Sequence, residues 1–193
     1  METIRLIAGL GNPGPKHQLD RHNAGFWFAD ALADAFGGQF RGERRFNGEM
    51  CRITVEEREL LLFKPMTYMN RSGLALQGLC AYRRIAPAEL LVAHDEIDLP
   101  PGTVRLKRGG GHGGHNGMRD VIAHLGREFF RLRFGVGHPG SKHEVIDYVL
   151  RRAQPEDEER ILNAVSDAVA ALPTLLEEGE EKAKNLLHSR VSG

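Results

Sequence analysis

Short apolar runs with β-branched or alternating character are interleaved along this chain with segments of helical periodicity. The strand-like runs are residues 4–10, 50–55, 60–63, 90–93, 104–106 and 132–136. Helical patterns cover residues 26–36, 74–82 and 118–125, a segment from Pro155 whose apolar face ends before Pro173, and residues 180–187. This order predicts one domain over residues 1–193, a three-layer α/β/α fold with a twisted mixed, largely parallel sheet and a helical C-terminal segment.

Size and composition exclude several classes of protein. With 193 residues, 41% hydrophobic and 27% charged, the chain can bury a core without a disulfide or metal staple. Cys51 and Cys80 form no C-x-x-C pattern, and no apolar run is long enough to span a membrane. We therefore expect a cytoplasmic protein with no membrane contact and no obligate protein partner. Because no heptad seam or long apolar edge calls for a second copy, a monomer is expected.

Charge is unevenly distributed along the chain, although the net charge is zero. Residues 101–153 carry ten basic and four acidic side chains, which gives this segment a net charge of +6. A basic segment suits a polyanion such as a nucleic acid, because each phosphate contact releases counterions. An ordinary solvated surface would have the same composition, so charge alone leaves both interpretations open.

Glycine-rich and polar segments follow the strand-like runs, at residues 9–14, 64–70, 94–98, 109–117 and 137–140. In open α/β sheets, ligands bind beyond the carboxyl ends of the strands. We therefore expect several of these loops to meet in one crevice.

The first loop, Gly9-Leu10-Gly11-Asn12-Pro13-Gly14, satisfies the G-x-G-x-x-G pattern of dinucleotide-binding proteins. That function requires a helix to begin at the third glycine, and here prolines flank Gly14 while the helical pattern starts only near Asn23. The alternative is a turn after the strand in which glycine supplies a positive φ.

His22 precedes a helix, and a carboxylate-rich segment that includes Asp95 ends another strand. Imidazole titrates near neutral pH and is the usual general base, while a carboxylate on one ring nitrogen orients the other. The loops also offer side-chain amides, which can bind carbonyls or an oxyanion without repelling phosphate. These amides belong to Asn12, Asn23, Asn70 and Asn116. No serine or cysteine has the setting of a nucleophile, so this set points to attack by an activated water.

A metal-dependent hydrolase is a further possibility. His112 and His115, together with His94 and Asp95, could ligate zinc or iron, because imidazole and carboxylate groups suit both metals.

The chain resembles the bacterial-type peptidyl-tRNA hydrolases. The matching motifs occur in family order within residues 4–140: GLGNPG at 9–14, RHNAG at 21–25, KPMTYMN at 64–70, HDEIDLPPG at 94–102, GGGHGGHNG at 109–117 and GVGHP at 135–139. The resemblance implies hydrolysis of the ester between a peptide and the 3′-terminal ribose of tRNA, which recycles peptidyl-tRNA lost from ribosomes. It implies no metal and no cofactor.

The resemblance also implies roles for individual residues. His22 matches the family's base, Asp95 the carboxylate that supports it, and Asn12 the amide that separates blocked peptidyl esters from free aminoacyl esters. Expected substrate or tRNA contacts are His17, Tyr68, Met69, Asn70, His115, Asn116, Arg105, Lys107, Arg108 and Arg133. Two positions depart from the family pattern, since His17 stands where a tyrosine is usual and Asp20 where a threonine is frequent. A non-catalytic RNA-binding relative is the competing hypothesis.

Overall fold

The computed structural model describes residues 3–188, which form a seven-stranded sheet with helices on both faces. The strands are β1 (Leu6–Gly9), β2 (Arg41–Glu43), β3 (Gly48–Val55), β4 (Arg58–Pro65), β5 (Leu90–Glu96), β6 (Val104–Arg108) and β7 (Phe130–Gly135). The helices are α1 (Ala24–Ala35), α2 (Ser72–Arg83), α3 (Asn116–Leu125), α4 (Val145–Val149), α5 (Pro155–Glu178) and α6 (Glu180–His188). The predicted fold class, a three-layer domain with a mixed, largely parallel sheet, is confirmed.

The strand order is β2-β3-β4-β1-β5-β7-β6. The four adjacent strands β4, β1, β5 and β7 are mutually parallel, so the loops that follow them leave from the same edge of the sheet. Strand β6 is antiparallel to β7, and Arg108 pairs with Phe130 at the beginning of β7. The glycine segment 109–117 therefore begins at the opposite edge and runs back to α3. Four of the five glycine-rich and polar segments therefore begin at one edge of the sheet.

Each face of the sheet has its own apolar core. Helices α1, α5 and α6 cover one face, where Ile7, Leu62 and Phe134 are buried. Helices α2 and α3 pack on the other face, over Leu6, Phe63 and Val92. Alternate residues of a strand point to opposite faces, so a central strand that is buried on both sides reads as a continuous apolar run.

The glycines after β1 allow α1 to pack closely against the strand. A Cβ atom added at Gly9 would overlap the carbonyl oxygen of Gly25, and one at Gly11 would overlap the ring of Phe26. Only Gly14 of this loop has a positive φ, 99°. Only a three-residue 3-10 helix, Pro15–His17, follows Gly14, and helix α1 begins at Ala24. The loop therefore lacks the α-helical N-terminus that a dinucleotide pyrophosphate needs.

Three elements differ from the sequence prediction. Strand β2 is a three-residue edge strand with no apolar pattern, and the five-residue α4 is too short for its periodicity to be read. Helix α5 continues through Pro173 to Glu178. An interior proline costs about 3 kcal/mol, and burial of Leu172 and Leu176 on either side of it offsets that cost.

Within residues 3–188, no helix combines the length and apolar character needed to cross a membrane. Both cysteines are buried free thiols, and burial raises the pKa of Cys80 to about 12.

Candidate active site

His22 and Asp95 are in direct contact where the segment before α1 meets the end of β5. His22 Nδ1 lies 3.0 Å from Asp95 Oδ1 and 2.9 Å from Oδ2, and both side chains are buried. An ionised carboxylate only accepts hydrogen bonds, so Nδ1 carries the proton. In neutral His22 the other nitrogen, Nε2, is therefore free to accept a proton. His22 and Asp95 both line a surface crevice.

Asp95 also contacts a second imidazole. His115 Nε2 lies 2.8 Å from Asp95 Oδ1, and the rings of His22 and His115 are 4.7 Å apart. His115 is the N-cap of α3, where its Nδ1 accepts a hydrogen bond from the backbone N–H of Met118 at 3.1 Å. Because a backbone amide can only donate, neutral His115 carries its proton on Nε2, facing the carboxylate.

This arrangement sets the charge states of His22 and Asp95. Burial alone would lower the pKa of His22, but the negative charge of Asp95 and its hydrogen bond outweigh burial, so the pKa of His22 lies above 6.5. Burial would raise the pKa of Asp95, but the charges and hydrogen bonds of the two histidines hold it below its usual range. Asp95 is thus an ionised carboxylate that stabilises the charged form of His22.

His94 does not line this crevice, although its ring lies 5.1 Å from that of His115. It is buried, its Nδ1 lies 2.8 Å from the backbone oxygen of Asp95, and burial lowers its pKa to about 3. His112 Nδ1 accepts from the backbone N–H of Gly114 at 2.9 Å. The candidate metal ligands that lie together in the described chain are instead His22, Asp95 and His115, whose ligand atoms fall within 4.8 Å of one another. The set of four expected from the sequence is therefore not assembled.

Asn12 is fixed by two neighbouring segments. Its backbone N–H donates to Asn23 Oδ1 at 2.8 Å, and its backbone oxygen accepts from Asn23 Nδ2 at 3.0 Å. Its side-chain Oδ1 accepts from the backbone N–H of Met69 at 2.8 Å. That contact determines the orientation of the amide, so the NH2 group of Asn12 faces the crevice as a donor. Asn23 occupies the N-cap position of α1 but makes no capping hydrogen bond.

The crevice has a volume of roughly 270 Å³. Asn116 lies on its rim, and its Oδ1 accepts from Arg119 Nη1 at 3.1 Å, which leaves the Asn116 NH2 group to donate. Tyr68 is 69% exposed at the mouth, whereas Met69 is buried beneath it. The lining residues are Asn12, His22, Tyr68, Met69, Asn70, Asp95, Glu96, Ile97, Gly113, Gly114, His115, Asn116, Val145, Ile146, Val149 and Leu150.

Sequence reasoning missed the wall formed by α4, because no pattern marks this short helix. Asn23, one of the loop amides identified from the sequence, binds the backbone of Asn12 and does not line the crevice.

His17 does not line the crevice. Its Nδ1 lies 2.7 Å from Asp20 Oδ2, and both side chains are largely buried. The two departures from the family pattern, His17 and Asp20, therefore contact each other.

The basic residues predicted to bind tRNA are divided between two places. Cross-strand pairing sets Arg105 opposite Arg133 and Lys107 opposite Arg131, so these side chains share the sheet face on which α3 lies. Arg133 Nη1 is 3.5 Å from Glu96 Oε1, next to the crevice, and Lys107 is exposed. Arg108 lies at the far end of β6, with its guanidinium 5.1 Å from the Phe130 ring.

Arg131 belongs to the basic segment but is buried, with 1% of its surface exposed. Its guanidinium donates to the backbone oxygens of Gly110 and Gly111, and burial lowers its pKa to about 10. Arg131 therefore organises the glycine segment that leads to His115, and its charge is not available at the surface.

Comparison with known proteins gives one consistent result. The family model for peptidyl-tRNA hydrolase matches residues 6–192. A peptidyl-tRNA hydrolase from Halorhodospira halophila is 51% identical over 187 residues, covering 96% of each chain. A second, from Polynucleobacter asymbioticus, is 48% identical over 194 residues, covering 97% of this chain and 99% of that protein.

A solved structure gives the same picture. The crystal structure of peptidyl-tRNA hydrolase from Acinetobacter baumannii matches with a TM-score of 0.96 at 44% identity, covering 98% of this chain and 96% of that chain.

Proposed function

The chain belongs to the peptidyl-tRNA hydrolase family and is a hydrolase; on this premise we propose that it cleaves the ester between a peptide and the 3′-terminal ribose of tRNA, with His22 as the general base. One observation carries the proposal. His22 has its Nδ1–H held by the ionised Asp95 while the ring lines the crevice, which leaves Nε2 to take a proton from water.

In the proposed reaction, His22 Nε2 accepts a proton from water as the water oxygen attacks the ester carbonyl carbon. Asp95 stabilises the imidazolium that forms. The NH2 groups of Asn12 and Asn116 are the candidate donors to the substrate carbonyl and to the oxyanion. When the tetrahedral intermediate collapses, the ribose 3′ oxygen leaves and takes the proton from His22. The products are the peptide carboxylate and free tRNA.

Two substrates on the same tRNA test this function. We expect the protein to hydrolyse an N-acetyl-aminoacyl-tRNA and to leave the unblocked aminoacyl-tRNA intact, with a chelator present throughout. Loss of activity after rigorous metal removal, restored by added metal, would instead favour a metal-dependent hydrolase built on His22, Asp95 and His115. Binding of tRNA without cleavage of either ester would favour a non-catalytic RNA-binding protein.

Asn12 provides a test of selectivity for the blocked ester. Its fixed NH2 group suits the carbonyl of a peptide bond, whereas an unblocked substrate brings an ammonium group that is itself only a donor. In Asn12→Asp, one carboxylate oxygen can still accept from Met69 while the other faces the crevice with a negative charge. We expect the ratio of kcat/KM for the blocked over the unblocked ester to fall by about tenfold, equivalent to about 1.4 kcal/mol.

The matched control is Asn163→Asp, on the surface of α5 and outside the crevice. An unchanged ratio in Asn12→Asp, with the same overall stability as the control, would contradict the selectivity role.

We also propose that Lys107, Arg105 and Arg133 contact tRNA phosphates, because they share one sheet face and Arg133 contacts Glu96 of the crevice. Arg105 in addition donates to the backbone oxygen of His188 at 3.3 Å. The logarithm of the tRNA binding constant should fall linearly with the logarithm of the salt concentration. Lys107→Gln should reduce the magnitude of this slope by about one. The measurement is a filter-binding titration at several salt concentrations. The control is Lys182→Gln on α6. Lys182 forms a salt bridge with Glu178, and its replacement should leave the slope unchanged. A flat salt response in the unmodified protein would contradict the electrostatic argument.

A further inference from the structure

Arg21, the residue before His22, is buried although it is charged, with 7% of its surface exposed. Its Nη1 donates to the backbone oxygens of Tyr148 at 2.8 Å and Arg151 at 3.3 Å. Its backbone N–H donates to the same oxygen of Arg151 at 3.1 Å. The guanidinium carbon lies 3.7 Å from the centre of the Tyr148 ring.

These contacts fasten the C-terminal end of α4. The last carbonyls of a helix lack partners within the helix, and a cation that binds them stabilises that end. Tyr148 adds a second attachment, because its hydroxyl donates to the backbone oxygen of Val136, just after β7, at 2.6 Å. Since Arg21 and His22 are consecutive, the position of α4 is tied directly to the segment that carries the base.

The crevice has walls of different character. Val145, Ile146 and Val149 of α4 contribute apolar surface, and Ile146 is 63% exposed. Other residues of the crevice wall, Asn12 and Asn116, carry side-chain amides. In a substrate, the side chain of the esterified residue is attached one carbon away from the scissile carbonyl. A substrate whose carbonyl groups meet these amides therefore has that side chain within the same crevice.

We propose that Arg21 is a positioning residue that holds α4 as an apolar wall for the side chain of the amino acid esterified to tRNA. This proposal rests on the proposed function and adds a preference among substrates to it. The occupant is a bulky aliphatic side chain, because the residues with which α4 lines the crevice, Val145, Ile146 and Val149, are all apolar. Each methylene group placed in an apolar pocket changes kcat/KM by about 10-fold or more.

The test compares N-acetyl-leucyl and N-acetyl-glycyl esters on the same tRNA. In the unmodified protein we expect kcat/KM to be at least about tenfold higher for the leucyl ester. In Arg21→Met, which removes the hydrogen bonds and the charge, the ratio should approach one, with most of the change in KM for the leucyl ester. Arg21→Lys should also lose most of the preference, because an ammonium group cannot stack on Tyr148 and reach both carbonyls.

Two further variants separate positioning from general stability. Tyr148→Phe keeps the ring under the guanidinium and loses only the hydroxyl contact, so it should retain more of the preference than Tyr148→Leu. Val165→Ala weakens the core beneath α5, away from the crevice, and should change stability without changing the ratio.

Equal losses on both esters in Arg21→Met would overturn the proposal, since they would mean that Arg21 acts on His22 alone. An unmodified protein that hydrolyses both esters at equal rates would also overturn it while leaving the proposed function intact. Hydrolysis of neither ester would instead be a failure of the proposed function.

Discussion

Turnover of N-acetyl-aminoacyl-tRNA is expected to fall by about 10²–10⁴-fold when His22 is replaced by alanine, because that is the usual contribution of general acid–base catalysis. The variant lacks the imidazole nitrogen that takes the proton from water. Asp95 keeps its hydrogen bond from His115, so the buried carboxylate is not left without a partner. The measurement is single-turnover hydrolysis at saturating enzyme, which reports the chemical step rather than product release.

A histidine on α3 supplies the matched control for His22→Ala. His124 lies near the end of that helix, contacts Asp120 and does not line the crevice, so His124→Ala should keep its activity. Thermal melting and tRNA binding should be similar in both variants. Wild-type turnover in His22→Ala would remove His22 from the mechanism, whereas loss of tRNA binding would point to a change in the fold.

Asp95→Asn is expected to reduce turnover by a similar factor, about 10²–10⁴-fold, because the amide favours the wrong tautomer of His22. His115 is committed by its helix cap to donating from Nε2, so the amide oxygen must occupy the Oδ1 position. The amide NH2 then occupies the Oδ2 position, 2.9 Å from His22 Nδ1 in the unmodified protein. If His22 kept its proton on Nδ1, it could donate to the amide oxygen 3.0 Å away, but the same N–H would face the NH2 donor at 2.9 Å. Accepting from that NH2 removes this conflict and places the His22 proton on Nε2, the nitrogen that has to be free.

The pH dependence gives an independent check on Asp95. The base works only when unprotonated, so kcat/KM in the unmodified protein should fall as pH drops through the pKa of His22, which lies above 6.5. Asp95→Asn removes the negative charge that raises this pKa, while the burial that lowers it remains. The acidic limb of the pH–rate profile should therefore move to lower pH, and the plateau should be lower.

Nitrogen NMR of the His22 ring can observe the tautomer directly. We expect a protonated Nδ1 in the unmodified protein and a protonated Nε2 in Asp95→Asn. An unchanged profile together with an unchanged tautomer would show that Asp95 does not orient the base.

Much of the frame for this site could be predicted from local sequence. Apolar runs located the central strands, and the rule that loops gather at strand ends brought His22 and Asp95 together, as they are at 2.9 Å. Both signals are short-range, since they depend on periodicity and on which residues directly follow a strand.

The remaining features depend on contacts between distant segments. Asn23 directly precedes a helix, as a capping residue does, but its side chain binds the backbone of Asn12. Arg131 lies in the basic segment that suggests nucleic-acid binding, but it is buried and donates to the glycine segment. The direction of β6 decides at which edge that segment begins, and the sequence of a five-residue strand does not encode its direction. The position of helix α4 depends on its contacts with Arg21 and with the backbone oxygen of Val136, both of which lie outside the helix.

The close packing of β1 against α1 has a consequence for mutational tolerance. Every side chain larger than hydrogen at Gly9 or Gly25 would meet backbone atoms of the facing segment, and backbone cannot move aside as a flexible side chain can. In a saturation library, both glycines should therefore be as intolerant as His22, although neither takes part in the proposed chemistry. An assay of protein abundance would separate the two classes, because glycine variants should be depleted from the cell while His22 variants accumulate as inactive protein.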